Sequence, residues 1–506
     1  MDNTDLANLV GRLERQSDAA PHIYVARVAT VAALGYAGIV LAAVLILVSG
    51  YFVVESLLAR GRPAAFALLA LIACVAVLIA MIRALQTRID APAGRELARE
   101  EAPALFAAID EIVQRMAAVN SLGKKPAVFA AIRLDREFEV AIHQIARRGV
   151  FGKYDNHLQI GVPLLAALSS AEFKTVLAHE IGHLGSERDR FTAWIYRQRT
   201  TWRLLQGKFA APATVMDRIL GGFYRWYIPY FFAYSLVLAR NHEYDADRAA
   251  AQATNVRVLA QALTKVELAA RFLAEVFWKR LFDQVEKSPE PRYLPYAVLP
   301  RAFDAAHKEW LRKDWLHDSL RSFASDMDTH PGLGERLAAL NVQPELPSHS
   351  ADASALMLFG TDPAPILKWC DQEWQQENVA AWRKKHDAIK EARWKLAQYA
   401  NTPATELKAE GIWEKSTLLL DLGEDEEAIA TLQELVARED ALPKAHLQLG
   451  RLLLAYGDER GLQSLTLAGQ QDPELLEAAG QAGYGYLMDR GRKGEARRFW
   501  ERLQAG

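Results

Sequence analysis

The chain has 506 residues, 60 Lys plus Arg against 62 Asp plus Glu, and a formal net charge of −2. That balance leaves no basic footprint for a nucleic acid, and only two cysteines, Cys74 and Cys370, exclude a disulfide framework. A hydrophobic fraction of 51% excludes a disordered chain, and the length allows two or three domains.

Residues 1–22 read as a short segment ahead of a transmembrane hairpin at 23–90. The hairpin has two uncharged spans, 28–54 and 64–82, each long enough to cross a bilayer, joined by the short charged link 55–63. The first run is too long and too quickly followed by another to be a cleaved signal peptide. Two crossings return the chain to the side where it began. Arg12, Arg15 and Arg27 before the first span and Arg83, Arg88, Arg95 and Arg99 after the second outnumber Arg60 and Arg62 in the link, which places both flanks on the cytoplasmic side. The expected location is a bacterial inner membrane, with the lipid bilayer as one partner and the 1–22 segment cytoplasmic.

Three short β-compatible runs follow, 127–132, 137–142 and 157–161, separated by turns containing Arg or Gly. Ser169 with Glu172 three residues later is a capping box, and the apolar positions Phe173, Val176, Leu177, Ile181 and Leu184 continue at helical spacing. Inside that helix lies His179-Glu180-Ile181-Gly182-His183. Residues four apart share a helix face, so His179 and His183 can grip one metal while Glu180 faces its open position as a base.

The apolar run 223–239 is interrupted by Arg225 and Pro229 and reads as a buried or membrane-apposed helix, because the two halves of the proposed metal site must lie on one side of the bilayer. It leads into Arg240-Asn241-His242-Glu243-Tyr244-Asp245-Ala246-Asp247. A catalytic zinc takes three protein ligands and leaves a fourth position to water, so Glu243 is the expected third ligand. Asp247 shares its helical face and is placed to accept the second ring proton of a ligand histidine. His242, adjacent to Glu243, is expected to point elsewhere. Further on, Asp328-Thr329-His330-Pro331 reads as a helix entry with Pro331 as the first helical residue, and Arg336 follows.

Residues 343–365, rich in Pro, Ser, Asp and Ala, read as a linker, and 366–402 as a charged helix in which Arg383-Lys384-Lys385 is a solvated face. Over 403–506, Gly423, Gly457 and Gly491 recur every 34 residues, the period of tetratricopeptide helix pairs. Such repeats offer a concave surface to a protein partner.

The blocks 178–183, 240–247 and 328–331 with Arg336 together resemble the HtpX-like membrane zinc metallopeptidases, over roughly 95–342. Gly332 stands where that family often has a second proline. The resemblance implies a Zn2+ cofactor, Glu180 as general base, Glu243 as third ligand, Asp247 as its supporting carboxylate, His330 as a residue that contacts the oxyanion or covers the metal, and a sheet edge that holds extended peptide. The expected fold is mainly α with a small β-sheet: membrane hairpin, zincin-like peptidase domain and C-terminal helical repeats. The expected activity is zinc-dependent endopeptidase hydrolysis of protein or peptide substrates in protein quality control. The competing expectation is a weak or inactive membrane-tethered adaptor working through its repeats.

Overall fold

A computed structural model of the chain describes residues 3–60, 65–85, 92–119, 126–150, 154–184, 191, 194–195, 198–199, 202–203, 206, 215–321, 330–347, 354–360, 362–399 and 406–505. They are mainly helical, with one small mixed sheet, and form two compact units: 1–279 with 293–373, and 280–292 with 374–506.

The first unit opens with helices α1 (Asn3–Ala19) and α2 (Pro21–Leu34). Pro21 suits the first helical position, where its missing N–H costs nothing. The N-terminal segment is not a free tail, since Leu9, Val10 and Leu13 of α1 are buried with Tyr24, Val28, Val31 and Ala32 of α2 in a core shared with Tyr227, Ile228 and Phe231. The run 28–54 is not one helix as expected. α2 ends at Leu34, a turn follows at Gly35 and Tyr36, and α3 occupies Ala37–Arg60. A Cβ on residue 35 would lie 2.6 Å from the Tyr227 hydroxyl, so glycine is what lets the chain close there.

α3 packs against α4 (Ala65–Leu85), and the pair exposes large apolar side chains, among them Leu41, Leu47, Leu58, Phe66 and Leu69. Among the described residues no helix is long and apolar enough to cross a membrane. The link residues 61–64 lie outside the described set, as do the side chains of several residues within each expected span.

The sheet has the order β1-β2-β4-β3, with β1 Arg95–Glu96, β2 Phe129–Asp135, β3 Val140–Val150 and β4 Tyr154–Gly161. β2 and β4 run parallel, whereas β3 pairs antiparallel with β4 and stands at the end of the sheet. Alternation sends Ile132, Leu134, Leu158 and Ile160 to the buried face. Helix α5 (Pro103–Val119) buries one face against the helix Ser170–Gly182, and the short α6 (Val162–Ala167), next to β4, is buried at every position.

α7 (Ser170–Gly182) begins as its sequence requires. The Ser169 side chain accepts from Glu172 N–H, and the Glu172 carboxylate accepts from Ser169 N–H at 2.7 Å. Glu172 is itself buried against the Lys265 ammonium at 2.9 Å, tying the start of α7 to helix α9 (Val256–Phe272). α8 is a single helix, Val215–Ala253, so the apolar run 223–239 and the segment 240–247 are parts of one element with Pro229 inside it. Its Tyr224, Tyr227, Ile228 and Phe231 face the core while Arg225 and Trp226 point outward, which is how an interrupted apolar run stays helical.

The stretch read as a linker is structured near its end. Ala355 and Leu356 are buried in the short turn Ala355–Phe359, and Ala355 N–H donates to Leu168 O at 2.7 Å, just before the cap of α7.

The boundary between the units falls within the helix Ala364–Tyr399. The second unit continues as three helix pairs: Ala409–Asp421 with Asp425–Val436, Pro443–Ala455 with Arg460–Gln471, and Leu476–Asp489 with Lys493–Ala505. Gly423, Gly457 and Gly491 take φ of 76°, 79° and 73° between the members of each pair. The next residue closes the preceding helix every time, by bonds from Glu424 N–H to Leu419 O, Asp458 N–H to Leu453 O and Arg492 N–H to Leu487 O. This is the six-to-one closure that a left-handed glycine permits.

Ser169→Ala should lower stability by about 1 kcal/mol through loss of the cap. Glu172→Ala should cost about 3–5 kcal/mol, because it strands a buried Lys265 ammonium. Denaturant unfolding of the two variants should reproduce that order.

Candidate metal centre

α7 and α8 are brought close by small residues. A methyl group on Gly182 would lie 3.1 Å from Ala246 Cα and 3.2 Å from its Cβ, so the two backbones meet where the two motifs face each other. The contact sets the His179 and His183 rings opposite Glu243, one helical turn before Ala246 on α8.

Three donors converge. His179 Nε2 and His183 Nε2 are 3.2 Å apart, and each lies 3.5 Å from a Glu243 carboxylate oxygen, Oε2 and Oε1 respectively. Ligand atoms about 2.0–2.1 Å from a tetrahedral zinc ion are separated from one another by about 3.3–3.4 Å. The spacing therefore fits such an ion. Glu243 is completely buried, and among the described residues its Oε1 has no hydrogen-bond donor. An anionic oxygen so placed needs a cation.

Glu180 is the other carboxylate beside the histidines, grouped with them within 4.8 Å. Glu243, at 3.5 Å from both rings, is the candidate third ligand, and Glu180 is the second carboxylate of the site. Burial pushes the Glu180 carboxyl up to about 7, with His179 opposing and Glu243 adding to the rise. A divalent ion at the three donors would draw it back toward the carboxylate form.

Around the donors lies a supporting layer. His179 Nδ1 is 2.8 Å from Asp247 Oδ1, which fixes the ring so that Nε2 faces Glu243. Burial would lower the His179 pKa and Arg336 opposes a second positive charge, yet the Asp247 and Glu243 carboxylates outweigh both and raise it to about 9. Arg336 in turn grips Asp247 with two bonds, Nε to Oδ2 at 2.9 Å and Nη2 to Oδ1 at 2.6 Å. Burial would raise the Asp247 pKa, but the guanidinium and the His179 ring hold it down at about 2. Burial raises and the surrounding histidines lower the Glu243 pKa, which ends well below the usual carboxylate range.

His330 Nδ1 is 3.0 Å from Glu243 Oε2, and the side chain is 62% exposed, on the open side of the site. Asp328 and Thr329 lie outside the described residues. His242 does not point away as expected: its ring is 4.9 Å from that of His183, and the residue is buried. The two adjacent residues on α8 diverge, but the groove between α7 and α8 is narrow enough to touch both.

Residues 103–343 match Peptidase family M48. The match spans just under half of the chain and contains all of the residues above, which supports a metallopeptidase. No curated protein matches the chain. Helices α1 to α4 and the whole of 344–506 lie outside the M48 segment.

Sequence reasoning named Arg336 without a role. Its only signal was that a buried Asp247 holding a histidine calls for a fixed cation, and nothing in the sequence says which arginine that is. Asp247→Asn and Arg336→Ala should each weaken zinc binding by about 10–100-fold, measured by chelator competition, because both act on the His179 ring.

Proposed function

We propose that the chain is a membrane-anchored zinc endopeptidase of the HtpX-like type. One observation carries the proposal: two histidine Nε2 atoms and a buried carboxylate with a donorless oxygen meet at zinc-ligand spacing beside a second carboxylate, Glu180. His179, His183 and Glu243 would hold the ion. When bound, zinc supplies Lewis-acid polarisation of a carbonyl and makes a water acidic enough to react near neutral pH. Glu180 then takes one proton from the attacking water as the water oxygen bonds to the scissile carbonyl carbon. As the C–N bond breaks, Glu180 returns that proton to the departing nitrogen. Peptide would lie along β3, the end strand of the sheet, by strand addition.

Membrane anchoring is supported by the apolar sequence of α3 and α4 and by the large apolar side chains they expose. The arginine bias favours a cytoplasmic catalytic unit at a bacterial inner membrane. A role in protein quality control follows from the family resemblance. Tetratricopeptide-like repeats in the second unit, supported by the 34-residue recurrence of its helix closures, would recruit a protein partner or substrate.

Glu180→Gln, purified in detergent beside the wild type, should keep its zinc and lose at least about a hundredfold in casein hydrolysis. Undiminished cleavage by that variant would remove Glu180 from the mechanism. His330→Ala, which deletes the contact to Glu243, should change both zinc affinity and turnover. If neither moves, His330 has no part in the site.

A further inference from the structure

Glu243 and Asp247 ride on α8, so their positions relative to the histidines of α7 depend on how α8 is held along and about its own axis. A slide of one residue would carry a side chain about 1.5 Å along the axis and turn it by about 100°. Gly182 and Ala246 fix the distance between the helices but leave the phase to other contacts.

Beside the Arg336 and His179 bonds to Asp247, specific contacts come from α1 and α2, which lie outside the M48 segment. The Tyr24 hydroxyl donates to Tyr234 O at 2.8 Å and accepts from Leu238 N–H at 3.1 Å. Tyr234 and Leu238 are four apart, so a side chain from α2 engages both ends of one rung of the α8 ladder, five residues before Glu243. Tyr24 is 1% exposed, so its hydroxyl is shielded from bulk solvent. Reciprocally, α8 reaches back to α2: Tyr224 Oη donates to Gly35 O at 3.0 Å and Tyr227 Oη to Ala32 O at 3.4 Å, both at the end of α2. From α1, Glu14 Oε1 accepts from Arg240 Nη1 at 3.1 Å, three residues before Glu243. The packing of Leu13, Val28 and Val31 with Ile228 and Phe231 fills the space between these bonds.

We infer that α1 and α2 form a clamp that sets the register of α8, with Tyr24 and Glu14 as positioning residues for the Glu243 ligand. The inference rests on the metal-centre reading of Glu243. Apolar packing alone tolerates small slides and rotations. Hydrogen bonds to specific main-chain atoms do not, because their geometry fails within a few tenths of an ångström. Since α2 leads through the Gly35–Tyr36 turn into α3, the apolar hairpin and the third ligand share one hydrogen-bonded connection.

The test uses the full-length chain in detergent with cobalt(II) in place of zinc, comparing wild type, Tyr24→Phe, Glu14→Gln and, as a control, Leu465→Ala in the second unit. Cobalt affinity is read by chelator competition and ligand geometry by the visible d–d absorption. Tyr24→Phe and Glu14→Gln should each weaken cobalt about three- to tenfold and change the band pattern. Leu465→Ala, which opens a core cavity in the helix pairs, should do neither. Glu14 is half-exposed, so its replacement keeps the test open even if Tyr24→Phe folds poorly. Wild-type affinity and spectrum in both clamp variants would overturn the inference and leave the metal centre standing. Failure of the wild type to take up cobalt at all would overturn both.

Discussion

A buried carboxylate facing two imidazoles is the constraint on which the rest of the first unit depends. Glu243 is fully enclosed and, among the described residues, offers Oε1 to no hydrogen-bond donor, an arrangement that is costly unless a cation completes it. The surrounding charges sharpen the point. Arg336 already answers Asp247 with two hydrogen bonds, so that guanidinium is committed. The carboxylate of Glu243 sits at the focus of the two histidine Nε2 atoms. Arg336, Asp247 and His179 thus form a relay of orientation whose last member presents one ring nitrogen.

Bringing these groups together takes precise contact between helices far apart in sequence. α7 is started by a reciprocal cap at Ser169 and Glu172 and anchored there by Lys265 of α9 and by the returning strand-like contact of Ala355. α8 is held from the other side by the tyrosine and arginine contacts of α1 and α2. Between them, Gly182 against Ala246 permits the close approach. α7 is capped where it begins, and α8 is gripped along its middle. Each therefore meets the other with its functional turn fixed.

The second unit works by a different economy of design. Its helix pairs reuse one local device, a left-handed glycine followed by a six-to-one bond, at 34-residue spacing. Because each closure is local, the pattern is visible in sequence even where the apolar positions have drifted.

What could be read in the chain alone was whatever depends on short range. The His179–His183 pair, the Ser169 cap, the three β-compatible runs and the glycine period are each set by residues within a few positions of one another, through helical spacing, hydrogen-bond reach or backbone conformation. Glu243 could be named because a catalytic zinc would call for a third ligand, and the structure sets its carboxylate 3.5 Å from both rings. The rest was decided by tertiary structure. That the run 28–54 breaks at Gly35 depends on a hydroxyl of Tyr227 almost two hundred residues away. That His242 lies against His183 depends on the narrow space between two helices. That Arg336, among many arginines, neutralises Asp247 depends on where a short helix ends up. Local rules specify an element and the face it shows. Which distant group meets that face is set by packing, and no spacing within the sequence contains it.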